Sequence, residues 1–514
     1  IKSRGDASLI AYASNGHVKE VNSKGQKKAF DQASNIANVS SRIIVNGSIN
    51  AKGNLSVKAT SDNINTLKSE NFVSLGLELM GTAFAKFPLN IDANVLYSKT
   101  FSNVEVKKGA KLEADGTLSV AAITNSKQKS GAKTASRVSN ETAISDMNWL
   151  PIVAVAVNIS EANASVTFDG SAKSNLQSEK VPEGEEPKKS ISIVAESTSV
   201  LSASSKAKTS SSRAGAGIAF ALGKHENKST LNIGKNASFD AKYTIELASN
   251  VESENSVSSK SFLGRTTYAE PSIALAFFDS EANANVESNI DVKNQVGSFS
   301  INVSNSIESD ELTSNSGITG DGRAWQEPVG KVKSMVMNDI YEKLHLANHI
   351  AGALPKSNAA KFGIAGAVAY GSGKHTANLN IKPGSIIKTT GELNLSSEMS
   401  VMDTKYSSTS DILCTAKQAG SSFETSIAFL YNDYDYSSNI FIDDSTNPKT
   451  TISGKEVSIE STVYQPYRRP EVLVEDLKDA WEKVTDYFSS KIHMIKLKKS
   501  AKVLISFLLL LKTR

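Results

Sequence analysis

Few residues in this chain have types and spacings that can do chemistry. Near the start, Arg4-Gly5-Asp6 spells the tripeptide that integrins read when an exposed turn displays it. A guanidinium and a carboxylate held apart by a glycine hinge can bridge a metal site and an acidic pocket on a receptor. Three residues also recur by chance in a long chain, so the motif is a weak cell-binding candidate. His345 and His349 stand four apart in "HLANH", which on a helix puts both imidazoles on one face, as a zinc helix requires. The second position, where a metalloprotease needs a Glu as general base, is Leu346. A pair used for packing or left at the surface is the plainer reading. His225 and His375 fall in matched "GKH" phrases, and repetition argues for a structural position rather than a unique active site.

The Asp-rich segment "YNDYDYSSNIFIDD" at 431–444 can attract a cation, but it lacks the glycine-rich nonapeptide that winds a calcium-loaded β-roll. There is no G-x-S-x-G elbow, phosphate-binding glycine loop or Cys/His cluster. No catalytic residue, metal ligand or cofactor-binding residue is therefore assigned, no cofactor is expected, and the chain is read as not an enzyme. Paired carboxylates for glycoside chemistry stay open, because the separation that chemistry needs cannot be read from sequence.

Bulk properties narrow the partners. The formal net charge is +4, yet residues 491–514 alone hold seven Lys or Arg and no acid, so the rest of the chain is slightly negative. That balance gives no electrostatic footprint for nucleic acid, and this partner class is excluded. With 39% hydrophobic and 21% charged residues, the chain can bury a core. Its one cysteine, Cys414, has no intrachain partner. The sequence opens "IKSRGDASL", with neither a basic n-region nor an apolar h-region, and is read as a fragment of a longer protein that lacks the signal peptide. The apolar run "VLISFLLLL" at 503–511 is too short to span a bilayer, which takes ~20 residues.

What must position these residues is a repeat. "LEADGTLSV" at 112–120 returns as "INAKGNLSV" at 49–57 and "IKTTGELNL" at 387–395. Weaker copies are "FDAKYTIEL" at 239–247, "ISGKEVSI" at 452–459 and "GSFSI" at 297–301. Period-two alternation around a glycine is the pattern of a half-buried strand after a turn, with Leu112, Leu118 and Val120 inward and Gly116 giving the corner its φ freedom. Each phrase leads through a Ser-rich stretch to a segment of small apolar residues, at 153–166, 217–233, 272–286, 363–381 and 426–442. Ile-Ala pairs at 218, 273, 364 and 427 mark a unit of about 55 to 65 residues. A unit of three or four short strands cannot bury its apolar face alone and must stack on its neighbours. The expected fold is mainly β: a repetitive β-solenoid, a right-handed parallel β-helix. An antiparallel sandwich array is the alternative, since periodicity does not report strand direction.

Two amphipathic helices are expected to interrupt or extend the solenoid. From Pro328, apolar residues recur at Val332, Met335, Val336, Ile340, Leu344, Ala347 and Ile350; after Pro470 they recur at Leu473, Leu477, Trp481, Val484 and Phe488. The expected organisation is solenoid over 1–309, a helical insertion over 310–360, solenoid over 361–465 and a helix over 466–490. Residues 491–514 form a basic, Leu-rich tail, either a membrane-active segment or an aberrant end.

The alternation of "GTLSVAA" and "SIALAFFDSEANANV" phrases, broken by "GKVKSMVMNDIYEKLHLANHIAGALP" and "YRRPEVLVEDLKDAWEKVTDYF", resembles the filamentous-haemagglutinin-like exoproteins, a group that includes the large secreted leukotoxins of fusobacteria. The resemblance covers residues 1 to about 490 and lies in the order of the repeats, not in a catalytic motif. It implies a virulence protein, secreted or on the bacterial cell surface, exported through an outer-membrane two-partner transporter. It also implies a β-helical shaft and toxicity towards, or attachment to, host cells, notably leukocytes. The expected function is thus a fragment of an exotoxin acting on leukocytes through a non-enzymatic contact surface. The alternative is an adhesin for host-cell attachment. A carbohydrate-active enzyme has only the fold class behind it.

Overall fold

The computed structural model describes residues 1–22, 30–75, 90–138, 151–177, 189–209, 216–263, 269–293, 295–319, 349–356, 362–413, 423–445 and 449–464. All of their regular structure is strand, and every strand pair among them is parallel, which removes the antiparallel alternative. The described strands stack into one compact unit, Ile1–Asp321 with His349–Pro466.

One coil is a short strand followed by two long ones. The first comprises β1 (Lys2–Ser3), β2 (Ala7–Asn22) and β3 (Phe30–Val45); the second, β4 (Ser48–Ala51), β5 (Leu55–Leu75) and β6 (Asn90–Val106). Next come β7 (Lys111–Ala114), β8 (Leu118–Val138) and β9 (Pro151–Phe168), then β10 (Ser171–Ser174), β11 (Ile191–Thr209) and β12 (Ala216–Ile233). The fifth coil is β13 (Ser238–Ala241), β14 (Ile245–Leu263) and β15 (Ala269–Val286). The sixth has β16 (Asn289–Val292) and β17 (Ser298–Thr319), then an extra strand, β18 (His349–Lys356), before its second long strand β19 (Phe362–Ile381). The seventh has β20 (Ile386–Thr389), a first long strand split into β21 (Glu392–Val401) and β22 (Thr404–Leu413), and β23 (Phe423–Ile442). β24 (Thr451–Ser453) and β25 (Val457–Tyr464) begin an eighth.

Like strands stack on like. First long strands form one sheet and second long strands another, while the short strands make two smaller sheets. Leu55, Leu118, Ile191, Ile245, Phe299 and Leu393 fall in one column. These columns explain the repeated phrase: "LEADGTLSV" is a short strand, a corner and the start of a long strand, with Leu112, Leu118 and Val120 all buried as expected. The small apolar segments are the second long strands.

Two details differ from expectation. The long strands run 16 to 22 residues where unbroken, so a coil is one short and two long strands in place of the three or four short ones expected. The Ile-Ala pairs are not register mates: Ile273 pairs with Phe220 and Ile427 with Gly366. The slip is an even number of residues, so the same face stays inward and the sequence pattern hides it.

The interior is zoned along the long strands. Beside the short strands lies an apolar core that includes Leu55, Val57, Val106, Leu112, Phe168 and Ile191. Fully burying one such side chain is worth about 1.5–3 kcal/mol. Phe168 stacks on Phe239 at 5.4 Å between centroids, and Phe239 meets Phe299 edge-on at 6.2 Å. Farther along comes a seam of buried Ser, Thr, Asn and Gln, and beyond it a second apolar cluster with Leu201, Val257, Phe278 and Leu312.

The helical insertion expected over 310–360 is corrected at both ends. Residues up to Thr319 belong to β17, and His349–Lys356 is β18, paired with β22. His349 and Ile350 are thus strand residues, so the helical spacing that joined His345 to His349 does not hold at its second member. The rest of that insertion, the helix expected over 466–490, the tail 491–514 and Cys414 lie outside the described residues.

Candidate functional site

Arg4-Gly5-Asp6 forms an exposed bend between β1 and β2. Ser3 Oγ ties the bend, donating to the Asp6 carbonyl at 3.0 Å and accepting from the Gly5 N–H at 3.3 Å. The Asp6 carboxylate is already employed. Its Oδ1 accepts the backbone N–H of Asn54 at 2.7 Å, one coil on. Asn54 repeats the act: its Oδ1 accepts the Thr117 N–H and Oγ1–H, each at 2.9 Å. Asp6 is therefore the first rung of a ladder in which a short polar side chain crosses to cap the next corner.

The ladder also explains the glycine in two copies of the repeated phrase. A Cβ on Gly53 would overlap Asp6 Oδ1, and one on Gly116 would overlap Asn54 Oδ1. Neither glycine has positive φ, so Gly116 supplies room for the crossing side chain and not the φ freedom expected from sequence.

The seam holds a constellation that sequence reading missed. Ser280 Oγ lies 2.8 Å from His375 Nδ1, and His375 Nε2 faces Asp310 Oδ2 at 3.8 Å. Serine, histidine and aspartate in this order have the form of a nucleophilic triad. Two observations oppose that use. All three are buried, none more than 1% exposed, so no substrate reaches Ser280. The proton also points the wrong way. Asn305 Nδ2 donates to the Ser280 and Thr376 carbonyls at 3.1 and 3.0 Å, which turns its Oδ1 to accept the Ser280 hydroxyl at 3.0 Å. Ser280 Oγ must then accept from His375 Nδ1–H, so the imidazole has no lone pair there to act as a base.

Nε2 and Oδ2 face each other at 3.8 Å, too far apart for a hydrogen bond. Burial pushes Asp310 up to about 7, against hydrogen bonds from Asn255 (2.7 Å) and Tyr406, and pushes His375 down to about 3. Both shifts favour a neutral carboxylic acid beside a neutral imidazole. His225, 1% exposed, donates Nδ1–H to the Ser160 carbonyl at 3.2 Å, and burial lowers it to about 4. The two "GKH" phrases are not in register: His225 pairs with Phe278, whereas His375 pairs with Ser280. Around this seam, His375 stacks on Tyr434 and Tyr436 at 5.8 and 5.2 Å, and Tyr406 on Tyr434 at 5.3 Å. The cluster is an interior polar joint.

In the Asp-rich segment, Asp433 and Asp435 point outward from β23. Asp443 and Asp444 cap a turn, accepting the Ser445 and Thr450 N–H groups at 2.9 Å each. Among the described residues, no group of three or more His, Cys, Asp or Glu converges as a metal site would.

The geometry defines a class: a repetitive, β-helix-like stack of parallel strands with a closed interior. No family model, curated protein or solved structure matches the chain.

Proposed function

We propose that this chain is part of a secreted bacterial exoprotein that acts on host leukocytes through a non-enzymatic contact surface, with export through a two-partner outer-membrane transporter. The observation that carries the reading is the division of labour in the coils. Apolar, Ser and Asn side chains are spent on a closed interior, and the outward columns carry Lys, Glu, Asp, Ser and Asn, as at Lys99–Glu161, Lys173–Asp240 and Lys228–Glu281. Such a stack offers long, regular outer faces for contact. The leukocyte target and the toxic outcome rest on the resemblance of the repeat phrases. The winding is taken as right-handed, the hand that nearly all parallel crossovers adopt.

A second reading, an adhesin without toxic action, draws on the exposed Arg4-Gly5-Asp6 bend, although Asp6 Oδ1 is held by the Asn54 N–H. Labelled protein on neutrophils and epithelial cells, with a viability dye, separates the two. Death chiefly of neutrophils selects the toxin, binding to both without death selects the adhesin, and no binding to either rejects both.

A further inference from the structure

We propose that Asn46 is a site of self-modification: the backbone nitrogen of Gly47 attacks the Asn46 side chain, and the asparagine becomes an acid. Water is the only co-reactant. The Gly47 nitrogen loses its proton and bonds to Asn46 Cγ; the Cγ–Nδ2 bond breaks, and ammonia leaves with one proton gained. A five-membered succinimide ring remains. Water then opens either of its two carbonyl–nitrogen bonds, giving aspartate at position 46 or the isomer whose main chain runs through the side-chain carbon.

The sequence offers this chemistry at several places, and the fold withholds it at the others. Asn15-Gly16 is the second Asn-Gly pair, and Asp115-Gly116 and Asp169-Gly170 could close the same ring by losing water. Asn15 and Gly16 lie inside β2, paired with Asn63 and Ile64 of β5. Ring closure needs a rotation about the Cα–C bond that the extended ladder forbids. Asn15 Nδ2 is also held by Asn63 and Asn65 Oδ1 at 3.2 and 3.0 Å. The Asp115 carboxylate accepts from Asn175 at 3.2 Å and pairs with Lys52 at 3.2 Å. Asp169 Oδ1 accepts the Asn236 N–H at 2.8 Å, and a Cβ on Gly170 would lie 2.6 Å from the Ala110 carbonyl oxygen.

Asn46 has none of these restraints. It stands with Gly47 in an exposed corner between β3 and β4, and no atom lies within 4 Å of where a Gly47 Cβ would be. Among the described residues nothing accepts the Gly47 N–H or binds the Asn46 carboxamide. A matched corner shows why. Val45-Asn46-Gly47-Ser48 and Phe168-Asp169-Gly170-Ser171 stack in the same way on the next coil, at Val106 and Lys111 and at Ile233 and Ser238. The turn above is also the same, closed by Ala110 N–H on the Lys107 carbonyl or Ala237 N–H on that of Gly234, each at 3.0 Å. Asp169 crosses to its turn because Gly234 leaves room: a Cβ there would lie 2.3 Å from Asp169 Oδ1. Lys107 carries that Cβ, so Asn46 cannot cross and stays free to react. The corner also selects the product. The Val45 and Gly47 carbonyls are anchored by the Lys107 and Lys111 N–H groups at 2.9 and 3.1 Å. The isomer would insert a main-chain atom between these anchors, so the fold favours ordinary aspartate.

The test holds the full chain at pH 7.4 and 37 °C and follows it by tryptic mapping with tandem mass spectrometry. Cleavage after Arg42 and Lys52 isolates residues 43–52, and cleavage after Arg4 and Lys19 isolates 5–19. Acid at Asn46 should build up at least tenfold faster than at Asn15, and in guanidinium chloride the two rates should converge. Gly47→Ala, whose methyl enters open space, should slow the reaction at Asn46 at least tenfold with unchanged circular dichroism. Chromatography should find a larger share of aspartate over its isomer from the folded chain than from a synthetic peptide of residues 43–52. Absence of acid at Asn46, a folded-state rate no faster than that of Asn15, or an unchanged rate in the folded Gly47→Ala variant overturns the proposal; an equal aspartate share overturns the assignment of the product.

Discussion

Lowering the pH from 6.5 to 4.5 should destabilise the coils through one side chain, His225. Burial lowers its pKa from 6.5 to about 4, with the hydrogen bond to Ser160 pulling weakly the other way. A histidine depressed in the folded state leaves the unfolded chain binding the extra proton. Its contribution is complete above pH 6.5 and is lost as pH falls towards 4. At ~1.4 kcal/mol per unit, and with the unfolded imidazole only half protonated at pH 6.5, the loss over this range is about 2 kcal/mol.

The neighbouring pair is silent over this window. With Asp310 raised to about 7 and His375 lowered to about 3, the folded pair holds one proton between pH 4 and 6.5. An unfolded Asp and His also hold one between them there, on the other residue. The perturbation is His225→Phe, because Phe278 fills the same column one coil on. Guanidinium midpoints by circular dichroism at pH 6.5, 5.5 and 4.5, with exchange of β12 amides as a local probe, should show the variant losing about 2 kcal/mol less than the wild type across the range. Equal pH slopes for the two proteins would refute the reasoning.

Other substitutions test the seam and the corners. Asp310→Ala strips the acceptor from Asn255 and leaves His375 Nε2 facing a void, and should cost about 3 kcal/mol in a denaturant titration; Asp310→Asn keeps an acceptor and gives Nε2 a donor, and should cost no more than about 1. Gly116→Ala drives a Cβ into Asn54 Oδ1 and should lower the guanidinium midpoint by the equivalent of about 1–3 kcal/mol, whereas Gly366→Ala, with nothing within 4 Å of its Cβ, should leave it unchanged. Because Asp6 Oδ1 is held by Asn54, the chain should bind purified integrin at least tenfold more weakly than a flexible linear peptide with the same tripeptide, as measured by surface plasmon resonance. Asn54→Pro, which removes the N–H, should narrow that gap.

Much of the architecture is legible because side-chain period and stacking leave a direct trace. Leu112, Leu118 and Val120 alternate with polar residues, and the coils that repeat them lie on top of one another. Register is less legible. Ile218 and Ile273 look equivalent, yet they miss each other by an even number of residues, and only backbone pairing distinguishes the two. The roles of Asp6 and Gly116 were hidden because each acts across a coil boundary, on a residue 48 or more positions away. A sign was present: Asp6 and Asn54 both precede the first residue of a long strand. The Ser280, Asp310 and His375 cluster gave no local signal, since three separate long strands bring it together.

The central claim, a host-directed contact surface, is tested most directly by flow cytometry of the fluorescently labelled protein on neutrophils and epithelial cells, with a viability dye in the same tube. The account predicts saturable binding to neutrophils with loss of viability concentrated in them. Absence of binding to either cell type at saturating protein would contradict it.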